Sequence, residues 1–322
     1  MENNIMKNTI GLDLGDRNHM VCVLEFYGKV ELKNQIENNS ESIISFFSGY
    51  SGATVAMEAG AQSLWISQLL EKMGLTVLVG NPGKLRMIWK SDKKDDYRDA
   101  LMLARIARFD PDLLCPIKHR SMETQYDLNQ IKARDVLVRT RTNLINFSKG
   151  VLKQFGLKVE SCGSEVFHKR AADVVPLELK SCLDPILETL EKLTSQIRGY
   201  DKQIDQLCKE KYPETIAVRQ IRGVGSLTAL AYMLILESPD RFPKSRDVGP
   251  FLGLTPRRDQ SGEVDKQLRI TKSGNLYLRR LMVGSAQYIL GPFGEDCDLR
   301  RFGERLSERG GKNAKRRAVV AV

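Results

Sequence analysis

Ile10-Gly11-Leu12-Asp13-Leu14-Gly15 is the stretch on which the reading of the fold turns. It is an apolar run carrying one acid, and residues 8–15 read as a buried strand. A carboxylate at the end of such a strand is costly unless it is paired or holds a cation. Thr54-Val55-Ala56-Met57-Glu58 has the same form. Asp96 and Asp99 stand three apart in Asp96-Tyr97-Arg98-Asp99-Ala100, at the head of a helical pattern. Residues i and i+3 share a helix face. Two strands and a helix could therefore bring Asp13, Glu58, Asp96 and Asp99 together. Four gathered carboxylates suit Mg²⁺ and the cleavage of phosphodiesters. The competing reading of Lys93-Lys94-Asp95-Asp96-Tyr97-Arg98-Asp99 is a solvated face of alternating charge. Asp95 with Asp99, or Asp92 with Asp96, are rival pairs at i,i+4.

Outward from that stretch, Met20 to Phe26 reads as a second strand, with a turn at Tyr27-Gly28, and Lys29 to Ile36 as a third. Ser40 to Phe47 is a short helix with Ser40 expected at its N-cap. Thr54 to Glu58 is a strand, Gln62 to Met73 a helix and Leu75 to Val79 a strand. Asn81-Pro82-Gly83 breaks the chain, and Asp95 to Arg108 is helical. Three strands in meander followed by alternating helices and strands predict an RNase H-like α/β fold, a mixed sheet between helices.

The middle of the chain changes character. Ser121 to Phe155 lacks proline and reads as one long helix. Farther on, Ile186, Leu190, Leu193, Ile197, Tyr200, Ile204 and Leu207 are spaced 4-3-4-3-4-3, a heptad seam. With a loop near 156–175, the two helices predict an antiparallel coiled-coil arm; two ordinary bundle helices are the alternative. A third, mainly helical region begins at Pro213. The expected domains are 1–115, 116–212 and 213–322.

The formal net charge of +10 favours a polyanionic partner, nucleic acid before anionic membrane. No apolar run approaches the roughly 20 residues of a spanning helix, and no signal peptide is read at the start. The six cysteines form no Cys-x-x-Cys, and the three histidines sit in unrelated contexts. Zinc, disulfide and histidine-triad chemistry are therefore disfavoured, and a reducing cytoplasm, at the nucleoid, fits.

Three features of the last region suggest contact with phosphates. Gly223-Val224-Gly225 before the helix Ser226 to Leu236 resembles a helix-hairpin-helix tip, where backbone N–H groups can approach a phosphate. Taken alone, a Gly-x-Gly pair is more often an ordinary turn. Ser261-Gly262 lies in a polar stretch, Arg257 to Gln267, where a serine is by default a loop residue. Around it crowd Arg257, Arg258, Lys266, Arg269, Lys272, Arg279 and Arg280, which could grip backbone phosphates or merely keep the surface soluble. From Asp298 to Arg317 eight basic residues face three acidic ones, so the positive balance continues to the end of the chain.

These motifs, in this order, resemble those of the DEDD-type insertion-sequence transposases, relatives of the Piv/MooV DNA invertases. Gly11-Leu12-Asp13 and Met57-Glu58 match the first two acids. Lys94-Asp95-Asp96-Tyr97-Arg98-Asp99-Ala100 matches a Lys-x-Asp-x-x-Asp-Ala signature, which selects Asp96 and Asp99. Ile221 to Gly225, Gly253-Leu254-Thr255-Pro256, Ser261-Gly262 and Ile270 to Asn275 match the C-terminal blocks. The resemblance implies a RuvC-like catalytic domain in which Asp13, Glu58, Asp96 and Asp99 hold Mg²⁺, with Mn²⁺ as a substitute. It implies Ser261 as a nucleophile forming a covalent phosphoserine link to DNA. It further implies double-stranded DNA at element ends and target, a structured noncoding guide RNA encoded by the element, and assembly as a dimer or tetramer through the arm. Gly223, Gly225, Arg257, Arg258, Arg269, Lys272, Arg279 and Arg280 are the expected nucleic-acid contacts. Family members usually continue past the block matching Asn313 to Val320 with a further helix. This chain stops at Val322, so Val319 and Val320 are expected to fray unless covered.

Two other functions compete. A RuvC-like endonuclease hydrolysing branched DNA with water would need the acids but not Ser261. A non-catalytic nucleic-acid-binding remnant would bind neither Mg²⁺ nor Mn²⁺ at them. An actin-like sugar kinase shares the strand order, but the chain has no second phosphate loop.

Overall fold

The computed structural model describes residues 8–85, 95–262 and 264–322. They form two compact units, divided between His119 and Arg120.

In the first unit, β1 (Thr9–Asp13), β2 (Asn18–Leu24), β3 (Val30–Glu37), β4 (Thr54–Glu58) and β5 (Thr76–Gly80) make one sheet in the order β3-β2-β1-β4-β5. The β1–β2 and β2–β3 pairs are antiparallel, whereas β4 runs parallel to β1 and β5 to β4. This mixed sheet with helices is consistent with the RNase H-like expectation. One face carries Ile10, Leu12, Val21, Val23, Val55, Met57 and Val79. It buries them against Ile43 and Phe47 of α1 (Ser40–Phe47) and Ile66 and Leu70 of α2 (Ser63–Lys72). Removing each such side chain from water is worth roughly 1.5–3 kcal/mol. The N-cap of α1 is Asn39 rather than Ser40: its side chain accepts from the Ser42 amide at 2.8 Å. Asn39 is the extended residue just before the first helical turn, where a short side-chain acceptor reaches the free amides.

The opposite face is covered by α3 (Asp96–Phe109), which packs Ala100 and Ala104 on Cys22 and Leu24, and Leu103 and Ala107 on Ala56. Alanines let this helix lie close. Gly11 lets it lie closer still, since a Cβ there would stand 1.8 Å from the Ala100 carbonyl oxygen.

The second unit begins with α4 (Met122–Gln154), followed by α5 (Phe167–Ala172) and α6 (Leu177–Glu210). Arg134 Nε lies 2.6 Å from Asp201 Oδ1, Arg141 Nη1 3.5 Å from Thr194 Oγ1, and Lys211 Nζ 2.5 Å from Asp127 Oδ2. Partner numbers fall as residue numbers rise, so α4 and α6 are antiparallel. Leu190, Leu193, Ile197 and Ile204 of the heptad seam are buried, and Leu183 and Leu187 extend it. The segment expected to be a loop near 156–175 contains α5, because Phe167 and Ala171 complete the apolar plug at that end with Val159 and Val175.

After α7 (Thr215–Arg219), α8 (Ser226–Leu236) and the single turn α9 (Val248–Phe251) comes a hairpin of β6 (Pro256–Ser261) and β7 (Val264–Ile270). The polar stretch Arg257 to Gln267, where Ser261 was by default a loop residue, is thus a two-stranded ribbon. Then come α10 (Leu276–Ile289), α11 (Asp298–Glu308) and α12 (Ala314–Ala321). One core joins Leu128, Ile131, Ile204 and Cys208 of the long helices to Leu230, Leu234 and Leu278. At the end of the chain the condition for fraying, uncovered valines, is not met. Residues 314–321 are helical, Ala318 is fully buried, and Val319 and Val320 are half-buried. Among the described residues, no helix is long and apolar enough to cross a membrane.

Candidate metal centre and nucleic-acid surface

Asp13 and Glu58 close the neighbouring parallel strands β1 and β4, whose register pairs Gly11 with Ala56 and Leu12 with Met57. Alternation along a strand puts Gly11 and Asp13 on one face and Ala56 and Glu58 on the same face. That is the face under α3. Asp95 caps α3: its side chain accepts from the Tyr97 amide at 3.1 Å. Asp96 and Asp99 then occupy the first turn, where the helix dipole favours acids. The Asp95–Asp99 rival pair is thus accounted for by capping. Asp92, Lys93 and Lys94 lie outside the described residues.

Ligand oxygens of Asp13, Asp96 and Asp99 all lie within 4.8 Å of one another. Asp99 is only 9% exposed, and Asp13 is half-buried. Glu58 falls outside that cluster but within its field. Burial pushes its carboxyl above the usual carboxylate range, and the charges of Asp13 and Asp99 push the same way. An all-oxygen set of crowded carboxylates fits a hard divalent cation such as Mg²⁺ or Mn²⁺. The position, at the carboxyl ends of parallel strands, is where open α/β sheets place their sites.

The C-terminal candidates fall into three groups. At Gly223-Val224-Gly225 a cleft of about 560 Å³ opens, lined also by Thr228, Arg280, Gly284, Ser285 and Tyr288. Gly223 has φ +84°, and a Cβ there would press on Tyr288 and the Ser285 carbonyl. Arg280 pairs with Asp135 and stacks over Tyr277, and its side chain stays half exposed. The second group lies on and beside the hairpin. Ser261 is the exposed last residue of β6, facing Val264 across a turn opened by Gly262 at φ +57°. Arg257, Arg258 and Arg269 are exposed along the strands, with Arg258 Nη2 2.7 Å from Asp265 Oδ2. Lys272 follows β7 and is also exposed.

Arg279 stands apart and corrects an expectation. Only 7% exposed, it donates through Nη1 to the carbonyls of Leu252 at 2.7 Å and Ser273 at 3.0 Å. Those residues are the two legs of the hairpin. The legs also meet at Gly253 and Gly274, both at positive φ, where a Cβ would lie 2.0 Å from Ser273 O and 1.8 Å from Phe251 O. Arg279 is therefore a buried clamp at the hairpin's base. Sequence reading missed it because a cation is normally a surface group, and only the two buried carbonyls explain its inward turn. Arg279→Lys will lower the urea midpoint, since a buried acceptor left poorly paired costs about 1–3 kcal/mol. It will leave the salt dependence of DNA binding unchanged, whereas losing a phosphate contact would reduce that slope by about one.

A mixed sheet with carboxylates gathered at the ends of its central strands and at the head of the helix laid across them defines a nuclease domain of the DEDD type. Here it is joined to a second, mainly helical unit. The family model for the DEDD transposase domain of IS110-type elements matches residues 10–156, and the model described as Transposase IS116/IS110/IS902 family matches residues 216–293. The chain belongs to this family of transposases. It is 28% identical to the transposase for insertion sequence element IS1111A of Coxiella burnetii, over 97% of this chain and 85% of that protein. It is 26% identical to a probable family 20 transposase of Pseudomonas aeruginosa, over 87% and 83%. With the transposase for insertion sequence element IS1328 of Yersinia enterocolitica the identity is 25%, over 86% and 82%.

Proposed function

We propose that this transposase cleaves and exchanges DNA strands through a covalent serine–DNA intermediate, dependent on Mg²⁺ and directed by a structured RNA. The observation that carries the reading is the convergence of Asp13, Asp96 and Asp99 within 4.8 Å, with Glu58 beside them. These four residues would hold the ion. When bound, it would offset charge on a scissile phosphate and favour ionisation of an attacking hydroxyl. Ser261 supplies that hydroxyl from the exposed hairpin tip. Its Oγ bonds to phosphorus, the phosphorus–oxygen bond to one deoxyribose breaks, and the released alcohol takes up a proton in place of the one the serine loses. The reaction needs the acids and Ser261 at one phosphate, whichever subunit supplies each.

The turn at Gly223 and Gly225, with the cleft beside it, suits a backbone phosphate at the start of α8. Arg257, Arg258, Arg269, Lys272 and Arg280 add exposed cations for the nucleic acid. The antiparallel pair α4 and α6 is the coiled-coil arm of this reading and serves self-assembly into a dimer or tetramer. The domains at 1–115, 116–212 and 213–322 divide the work into metal chemistry, assembly, and serine delivery with DNA grip. Sequence choice is left to base pairing by the guide RNA, as in other RNA-guided systems.

Incubation of the protein with labelled DNA bearing the element's ends, the element's own flanking transcript and Mg²⁺ will trap a protein–DNA adduct resistant to denaturant. Ser261→Ala will give none. An adduct that survives that substitution, or cleavage that persists without one, would sink the serine mechanism. Equal yield without the transcript would sink the guide.

A further inference from the structure

The hairpin β6–β7 has no core of its own. Every described residue of both strands is exposed, apart from half-buried Ile270 at the base. A two-stranded ribbon is marginal in water by itself, yet this one is rigidly held at its root. Arg279 and the crossing of Gly253 and Gly274 fix the two legs. Thr271 N donates to Thr255 O at 2.8 Å, and Lys272 N to Gly253 O at 3.1 Å. A clamped ribbon exposed on both sides is built to be covered by something else.

Its register sorts the side chains. Arg258 faces Gln267 and Gln260 faces Asp265, so these four share one side, as the Arg258–Asp265 ion pair requires. Asp259, Ser261, Val264 and Lys266 share the other. The first side therefore offers two amides flanking a guanidinium–carboxylate pair. Amides and guanidinium are the groups that pair with purine edges in the major groove, Gln with adenine and Arg with guanine. Charge is arranged to match. No acid occurs between Lys266 and Arg280, so Arg257, Arg269 and Lys272 make the ribbon's root positive, where flanking phosphates would lie.

Size selects the form of the duplex. Two strands lie about 4.8 Å apart, and the B-form major groove, about 12 Å wide, admits such a ribbon. The deep, narrow A-form major groove does not. We propose that the β6–β7 ribbon enters the major groove of double-stranded DNA with its Arg258, Gln260, Asp265 and Gln267 side against the base edges. This rests on the chain's being a DNA transposase, and does not require Ser261 to be the nucleophile.

The test uses the full chain in EDTA, so that neither metal chemistry nor adduct formation contributes. The probes are a 40-base-pair random-sequence DNA duplex and the same duplex with 7-deazapurines replacing its purines. Loss of the N7 acceptors will weaken binding by wild type at least about fivefold, within the range of one good base contact. The exposed double variant Gln260→Ala with Gln267→Ala will discriminate between the two DNA duplexes clearly less than wild type does. If wild type is indifferent to the 7-deaza probe, or the double variant keeps the full discrimination, the groove assignment is wrong. Because no strand is cut, the outcome is independent of the adduct experiment.

Discussion

Asp13→Asn will remove metal-dependent strand cleavage and the metal's effect on stability together. Losing even a group that supports a metal ligand costs about 10- to 100-fold in affinity or activity, and Asp13 is the strand residue of the three-acid cluster. A cation that binds only the folded chain adds about 2.7 kcal/mol at a hundredfold excess over its Kd. Wild type will therefore melt higher when Mg²⁺ or Mn²⁺ is added, and Asp13→Asn will not. Glu58 lies outside the cluster, so Glu58→Gln will weaken metal binding and cleavage less than Asp13→Asn does.

The pH dependence of Glu58 gives this comparison a sign. Its carboxyl titrates above the ordinary range in the folded chain. Between the ordinary value and the raised one, the folded state holds a proton that the unfolded state has released. Stability therefore falls as pH rises through that interval, and the loss remains at neutral pH. Glu58→Gln removes it. Without metal the variant will melt above wild type at neutral pH, and the gap will close toward acid pH. A variant that melts lower at neutral pH and keeps a full metal shift would show that Glu58 is an ordinary structural acid. Calorimetric melts at several pH values, with and without Mn²⁺, decide the matter.

The sheet and the acids were legible because they rest on local patterns. Apolar runs ending in acids predicted β1 and β4, and the observed Thr54–Glu58 strand has the expected bounds. The heptad spacing predicted a long helix whose buried line includes Leu190, Leu193, Ile197 and Ile204. Spacing alone left the aspartate pair open, since it cannot tell a capping acid from its neighbour. The extended backbone of Asp95 shows it to be the cap. The hairpin was hidden because strand reading depends on one buried face, and the strand residues 256–261 and 264–270 bury almost nothing. The clamp by Arg279 was hidden because its partners are main-chain carbonyls 27 and 6 residues away, which no side-chain pattern records.

Gly11→Val will disable the first unit although the residue bears no chemical group. Glycine inside a strand signals close approach by another backbone, and here the approach is that of α3. A Cβ at residue 11 would lie 1.8 Å from Ala100 O and 2.8 Å from both Ala100 C and Ala104 N. These are main-chain atoms in a hydrogen-bonded helix, so no rotamer change makes room. Ala100→Gly will not rescue the variant, because the clash is with the carbonyl rather than the methyl. Overpacking commonly costs about 1–3 kcal/mol, and more where backbone must shift. The consequence reaches the acids directly. Asp13 is two residues along the same face of β1, and Asp99 adjoins Ala100 on α3, so lifting the helix from the strand parts Asp13 from Asp96 and Asp99. Gly11→Val will therefore lose the metal-induced rise in melting temperature even where enough folded protein remains to measure it. Gly49→Ala is the control, since a Cβ there meets nothing within 4 Å, and it will keep both stability and metal response. A Gly11→Val protein that melts like wild type and still responds to Mn²⁺ would mean that α3 does not set the spacing of the acids.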